Sequence, residues 1–382
     1  MMSSDMSFQR SLQPMLVWMR FIGVFLESPG TSPAAEAASP WIRIGITCYG
    51  FLFFFGNVFF NGLNITEFFA FFEITSTASL WTMAISILNM AATTICCQLS
   101  LMSSAATKWP NLMQMLCQMK SQGFFETRDY QNFRRIFLGG LTFIMVFAVT
   151  TGTGLIAPYL TLDWEGLKAS FPRFCLLFVF SGGALFSSLG WMASNMLDIL
   201  ARQVHQTTSE KTELNWTQRI DTWRRQYHLI SQFVDEISHC YGPLVLTLIT
   251  SGFVVMIDLS YNIMQYVIDN CHDCIVNHIL LFITQFSFFL VLIYVPHRIR
   301  ESAITFSKQL QCIEQGPEKD DKQIDIFALS VLNSLPKITA IGVFDVDLHL
   351  VPTLIGTTLT YLIILGQFQF TKTGECHSSG QV

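Results

Sequence analysis

The sequence predicts an all-α polytopic membrane protein with seven transmembrane helices. Of its 382 residues, 51% are hydrophobic and only 13% are charged, about half of the roughly 25% that is usual in soluble domains. Seven apolar stretches without Asp, Glu, Lys or Arg come near or exceed the roughly 20 residues that cross a bilayer as a helix. Such a chain cannot cover a water-soluble surface, and its net charge of −5 gives no electrostatic basis for nucleic-acid binding.

The predicted spans are residues 44–63, 74–102, 136–162, 174–197, 239–257, 274–296 and 348–371. An earlier apolar run, residues 12–26, contains Pro14 and Arg20. We expect this run to be an interfacial amphipathic helix. It has neither the basic leader nor the small-residue cleavage site of a signal peptide.

The orientation follows from the basic residues. If the N-terminus is cytoplasmic, 19 of the 22 Lys and Arg residues lie in cytoplasmic segments, and only Lys168, Arg173 and Lys372 lie outside. Cytoplasmic loops of membrane proteins carry an excess of Lys and Arg. The sequence therefore predicts a cytoplasmic N-terminus and an extracellular C-terminus, the reverse of a receptor that couples to G proteins.

The long loops predicted to be cytoplasmic carry helical patterns of their own. In residues 201–236, apolar residues recur every three or four positions, at Ile220, Trp223, Tyr227, Ile230 and Val234. We therefore expect spans four and five to continue as helices into the cytosol. After a break at Gly316-Pro317, a second helix is predicted at about residues 324–333.

Motifs of enzymes are absent from the sequence. It contains no HExxH, GxSxG or P-loop, and its one Gly-x-Gly pair, Gly152 and Gly154, lies inside a predicted span. We expect no enzyme activity, no cofactor and no metal. Cys271 and Cys274 are close enough in sequence for a loop disulfide, and the sequence does not decide whether they form one. No second Cys/His pair completes a zinc site.

The last span carries a short motif: Thr360-Tyr361, five apolar residues, then Gln367-Phe368. This motif resembles the signature of insect gustatory receptors, and the preceding segment 339–345 is also similar. The close likeness covers roughly the last forty residues, and the predicted topology agrees over the rest. Leu362 stands where the sugar-receptor branch carries Glu, which favours a bitter-type or another specialised ligand.

The resemblance implies a tastant-gated, poorly selective cation channel in the plasma membrane of sensory neurons. Its expected partners are a small-molecule tastant, permeating sodium, potassium and calcium ions, the lipid bilayer and identical subunits in a tetramer. The alternative is a seven-helix chemoreceptor that signals through partner proteins such as G proteins. A transporter is disfavoured because no internal repeat is evident and the span count is odd.

With the resemblance, the chain divides into five segments. Residues 1–43 are a cytoplasmic segment with the interfacial helix, and residues 44–296 are a six-helix ligand-binding bundle with the cytoplasmic extensions. Residues 297–339 are a cytoplasmic anchor region, residues 340–371 a pore helix, and residues 372–382 an extracellular tail.

One face of the last span is predicted to line the pore. On a helix, Thr360, Ile363 or Ile364, and Gln367 share a face, and Phe368 completes the predicted gate. Tyr361 and Leu365 lie on a neighbouring face that suits packing. The alternative for Gln367 is an interhelical hydrogen bond. Asp345 and Asp347 are predicted to lie at the inner vestibule, or at a solvated start of the helix. The predicted ligand-binding residues lie in the outer halves of the bundle: Trp81, Thr150, Thr151, Asp258, Tyr261 and Gln285. The alternative for Asp258 is a carboxylate at the level of the lipid headgroups that caps its span.

Overall fold

The computed structural model describes residues 40–72, 78–121, 164–209, 216–268, 272–313 and 318–378, with a few isolated positions elsewhere. These residues form eight helices: α1 Pro40–Phe72, α2 Ala78–Thr107, α3 Trp109–Ser121, α4 Trp164–Ser209, α5 Trp216–Ile268, α6 His272–Gln311, α7 Glu318–Asn333 and α8 Leu350–Ser378. Five of them, α1, α2, α5, α6 and α8, are long and apolar enough to cross a membrane. The described part of the chain is therefore an all-helical, multi-pass arrangement.

Six of the seven predicted spans overlap these helices over most of their length, in the predicted order. The third predicted span, residues 136–162, and the run 12–26 lie outside the described residues. The fourth, residues 174–197, lies in α4. Because α4 packs against α1, α2, α5 and α6, much of its surface faces protein, and small residues replace large apolar ones there.

Glycines let α4 approach α6 closely. A Cβ atom added at Gly183 would lie 2.4 Å from Cζ of Phe288, and one added at Gly190 would lie 2.4 Å from Cγ1 of Val295. The ring of Phe288 also packs edge-on against Phe180, with ring centroids 4.8 Å apart. The close contact between α4 and α6 therefore depends on the absence of a side chain at Gly183 and Gly190.

We expect Gly190→Ala to destabilise the protein by about 1–3 kcal/mol, because the new methyl group overpacks a close helix contact. Thermal unfolding of the purified protein measures the loss. Gly62→Ala is the matched control, since a Cβ at Gly62 meets nothing within 4 Å. Adding Val295→Ala should cost the Gly190→Ala protein nothing further. A Gly190→Ala protein as stable as the control would contradict the packing described here.

The fifth helix contains a proline, Pro243, that leaves a carbonyl without its helical donor. Pro has no N–H, so the His239 carbonyl four residues earlier has no partner within α5. Lys108, just after α2, donates to this oxygen from Nζ at 2.7 Å. Ser104 of α2 donates to the neighbouring Cys240 carbonyl at 2.6 Å. The end of α2 is thereby fastened to α5 beside Pro243.

The predicted helical extensions are present. After α4 ends at Ser209, α5 begins at Trp216 and runs without interruption into the apolar part. The helix predicted at 324–333 is α7, which begins six residues earlier, while the Gly316-Pro317 break lies outside the described residues.

An aromatic core joins α5, α6 and α7 in this extension. Tyr227 stacks on Phe306 at 5.6 Å between ring centroids and meets the edge of Phe327 at 6.3 Å. Burial raises the pKa of the Tyr227 hydroxyl well above its ordinary value. The hydroxyl therefore stays protonated and donates to the Ser334 carbonyl at 3.1 Å, which ties the chain after α7 to α5.

Residues 334–349, which we name the linker loop, connect α7 to α8. The last helix begins at Leu350 and not at residue 340, where the sequence analysis placed the start of the pore helix. Ile341 (φ 55°) and Gly342 (φ 73°) occupy the left-handed region and form a tight turn. The turn is closed by a bridge between Thr339 and Asp345, and left-handed residues of this kind do not continue a helix.

Candidate functional site

The last helix, α8, packs on α5. Its Tyr361 ring lies edge-on to Phe253 of α5 at 6.4 Å between centroids, and Thr358 is buried. Gly366 approaches Met264 so closely that an added Cβ would lie 3.9 Å from the sulfur. Only 11% of the stretch Leu350–Gln367 is buried, so most of this apolar helix faces away from the rest of the described chain.

The face predicted to line a pore is exposed. Ile363 is 62% exposed and Ile364 is 42% exposed, and Thr360 and Gln367 are also exposed. Tyr361 and the half-buried Leu365 lie on or beside the side that meets α5. The Phe368 side chain lies outside the described residues.

A polar row follows the exposed face. Thr353, Thr360 and Gln367 recur every seven residues, which keeps them on one side of a helix. The hydroxyls of Thr353 and Thr360 donate to the carbonyls of His349 and Gly356, at 3.3 and 2.9 Å. The hydroxyl protons of these threonines are used within the helix. The lone pairs of the hydroxyl oxygens remain available to accept hydrogen bonds or to face an ion. The sequence analysis missed Thr353, although its spacing from Thr360 indicates the same face.

The two acidic residues before α8 are both paired. Asp345 lies 2.8 Å from Nζ of Lys337. Asp347 lies 3.6 Å from Arg300 of α6 and also accepts from the backbone N–H of His349 at 2.9 Å. The two carboxylates and two basic groups balance in charge, so together they add little net negative potential below α8.

The linker loop is docked on α5 beside Pro243. The backbone N–H of Thr339 donates to the Ser238 hydroxyl at 2.9 Å, and the two hydroxyls lie 3.2 Å apart. A Cβ added at Gly242 would lie 3.1 Å from the backbone nitrogen of Ile341. Any side chain at position 242 would require the backbone of the loop to move away from α5.

A second candidate site is a cluster of polar side chains between α2, α5 and α6. Asp258 of α5 accepts a hydrogen bond from Ser86 of α2 at 3.1 Å and another from Asn262 one turn later. Asn89 of α2 donates to the Ser251 hydroxyl of α5 at 3.2 Å. We name these residues the polar cluster.

The polar cluster lies well inside its helices. Ser86 lies eight residues from the start of α2 and Asp258 ten residues from the end of α5, or ~12 and ~15 Å at 1.5 Å per residue. His278 of α6 lies near enough to act electrostatically on Asp258. The cluster therefore places Ser86 and Asp258 more than two helical turns from the nearest end of α2 or α5.

The other predicted ligand residues are distributed more widely. Tyr261 is only 2% exposed and lies among packed helices. Gln285 of α6 places Nε2 3.9 Å from the position of a Cβ on Gly252. The Trp81 side chain, and Thr150 and Thr151, lie outside the described residues. Sequence reasoning found Asp258 but missed its partners Ser86 and Asn262, because single polar residues in apolar spans are common.

Comparison with known proteins decides the family. The sequence pattern described as 7tm chemosensory receptor matches residues 12–372, nearly the whole chain. The chain belongs to the 7tm chemosensory receptor family. The resemblance seen in the last span is thereby confirmed, and the receptor is a multi-pass membrane protein.

Solved structures show the same fold. The receptor is similar to the insect olfactory receptor OR5 from Machilis hrabei, with a TM-score of 0.70 and 12% identity over 93% of this chain and 97% of that chain. The same olfactory receptor in complex with eugenol gives a TM-score of 0.70, covering 94% of this chain and 98% of that chain. At 12% identity the likeness concerns the fold. No curated protein sequence matches the receptor significantly.

Proposed function

We propose that the receptor is a gustatory receptor: a tastant-gated, poorly selective cation channel formed by four identical subunits in the plasma membrane of sensory neurons. The observation that carries the proposal is α8, an apolar helix that is 11% buried and presents a polar row outward. Membrane helices place polar side chains against other helices or water rather than lipid. Four copies of α8 around one axis would give the row Thr353, Thr360 and Gln367 such surroundings.

The proposed pore explains which ions pass. Leu350–Gln367 contains no Asp, Glu, Lys or Arg, so no charged ring selects strongly among cations there. Four Gln367 amides can replace part of the hydration shell of an ion, and the apolar ring of Ile363 or Ile364 can close the pore by excluding water. Phe368 completes the gate in this proposal. Asp345 and Asp347 lie below the helix, held by their basic partners.

The connection from ligand to gate runs through α5. This helix carries Asp258 of the polar cluster, touches α8 where Phe253 meets Tyr361, and holds the linker loop at Gly242. A ligand that moves α5 would therefore change both the side and the start of α8. We propose that tastants bind in the polar cluster, together with Trp81, Thr150, Thr151, Tyr261 and Gln285, and act by this route.

Whole-cell recording tests the proposed function. Expressed alone, the receptor should give tastant-evoked cation current that persists when G-protein cycling is blocked. Current that disappears with the block would favour signalling through G proteins instead.

The topology is a separate prediction. A tag placed after Val382 should bind antibody on intact cells, and an N-terminal tag should bind only after permeabilisation, because 19 of 22 basic residues then lie inside. Antibody labelling of the two tagged receptors in the same cell line, before and after permeabilisation, tests this prediction. Labelling of the N-terminal tag on intact cells would overturn the proposed channel orientation.

A further inference from the structure

Asp258 differs from Asp198, Asp345 and Asp347 in having no Lys or Arg partner. Asp198, Asp345 and Asp347 each lie within 4.0 Å of an Arg or Lys. Among the described residues, Asp258 makes no such ion pair, and its hydrogen bonds come from the neutral side chains of Ser86 and Asn262. Neutral donors stabilise a carboxylate but do not balance its charge, and His278, which acts electrostatically on Asp258, balances it only when its imidazole is protonated.

The cost of this arrangement is large. Asp258 is half-buried directly after the predicted span 239–257, between the apolar residues Ile257 and Leu259, and an ion removed from water is destabilised unless a counter-charge accompanies it. Intramembrane acids of this kind usually mark a functional site. The structure thus contains a carboxylate that is oriented by hydrogen bonds and would be stabilised by a cation from outside the chain.

Other groups near Asp258 also suit a ligand. Gln265 lies seven residues later on the same face of α5, and its Nε2 is buried without a partner among the described residues. The rings of Tyr266 and His278 lie 4.7 Å apart. Aromatic faces attract organic cations as well as apolar groups. A carboxylate, an unpaired amide donor and aromatic surface therefore lie along one side of α5.

We propose that the polar cluster binds a protonated organic amine, with the ammonium group on Asp258 and an apolar or aromatic body between α5 and α6. The proposal rests on the proposed function, since it names the ligand class of that site. A carboxylate ligand would be repelled by Asp258. A neutral polyol would find hydrogen bonds there but would leave the charge unbalanced.

Matched pairs of probes test the ligand class. Each pair shares one body and differs only in an amine or a hydroxyl: hexylamine and hexanol, 2-phenylethylamine and 2-phenylethanol, tryptamine and tryptophol. Binding to the purified full-length receptor is measured by calorimetry. For at least one pair, the amine should bind at least tenfold more tightly than the alcohol. Equal binding within all three pairs, or no amine binding at all, overturns the proposal.

Variants at Asp258 test whether its carboxylate causes the preference for the amine. Asp258→Asn should weaken amine binding roughly ten- to hundredfold, as expected for loss of a charge-assisted hydrogen bond, and should leave alcohol binding unchanged. Asp258→Glu should keep the preference for the amine. Ser260→Ala is the control, because that hydroxyl bonds within its own helix, to Met256. Full amine affinity in Asp258→Asn would place the ammonium elsewhere and overturn the assignment.

A second measurement does not depend on ligand. Without amine, Asp258→Asn should unfold at a temperature no lower than the wild type, because it removes an unbalanced charge. A clear loss of thermal stability would mean that Asp258 serves the fold.

Parallel current recordings separate this inference from the proposed function. Amine binding without current would contradict the channel and leave the ligand class standing. Current evoked by other compounds, with no amine bound, would do the reverse.

Discussion

Gln367→Arg should abolish inward cation current or shift the reversal potential toward that of chloride. In a tetramer this change places four guanidinium groups around one axis beside the apolar ring of Ile363 or Ile364. At an effective dielectric constant of ~20, two unit charges ~8 Å apart interact by about 2 kcal/mol. A cation passing four such charges would meet a barrier of several kcal/mol, which is enough to reduce its conductance a hundredfold or more.

The opposite charge gives the matched test. Gln367→Glu should raise calcium permeation or produce block by calcium, since four carboxylates would attract divalent ions. Thr358→Val is the control, because Thr358 is buried on α8 and the change keeps its volume. Reversal potentials under sodium, calcium and chloride gradients distinguish these outcomes. If both charged variants conduct like the wild type, Gln367 makes an interhelical hydrogen bond outside the pore.

Gly242→Val should remove most of the tastant-evoked current while the receptor still reaches the surface. The new side chain would meet the backbone of the linker loop, where even a Cβ would lie 3.1 Å from Ile341 N and 3.3 Å from Thr339 O. Backbone atoms cannot move aside as a flexible side chain can. The loop would therefore leave α5 and take the start of α8 with it. We expect at least a tenfold loss of current per surface receptor.

Surface labelling of intact cells gives the number of receptors by which the current of each variant is divided. Gly62→Val controls for valine in a membrane helix, since Gly62 has open space around its Cβ position. Ser238→Ala, which removes the hydrogen bonds of the Ser238 hydroxyl to Thr339 but adds no bulk, should cause a smaller loss. Normal current in Gly242→Val would show that docking of the loop on α5 does not control the gate.

The helices were predictable because their signal is local. Each apolar run within the described residues lies in a helix, and length and composition alone decide such an assignment. The start of α8 was not predictable in the same way. The sequence analysis placed residues 340–349 in the pore helix, but the left-handed Ile341 and the bridge from Thr339 to Asp345 lie in a loop that packs against α5.

The sites were predictable only where one residue stands out by itself. Asp258 is a lone acid in an apolar stretch, so composition identified it. Its partner Ser86 lies 172 positions away, and no local pattern relates the two. The pairing of Asp347 with Arg300 of α6 is likewise a tertiary contact, so the balance of charge below α8 could not be read from the sequence.

The contacts beside Pro243 have a mechanical consequence. A proline inside a helix removes one backbone hydrogen bond and allows the helix to bend there, and the bend depends on what holds the carbonyl that has lost its donor. The Lys108 side chain is long and flexible and can follow the His239 oxygen through a change of angle. The Ser104 side chain is short and has one rotatable carbon–carbon bond, so its hydroxyl cannot follow the Cys240 oxygen far. Ser104 therefore limits how far α5 can bend at Pro243, while Lys108 keeps its hydrogen bond over that range of bending.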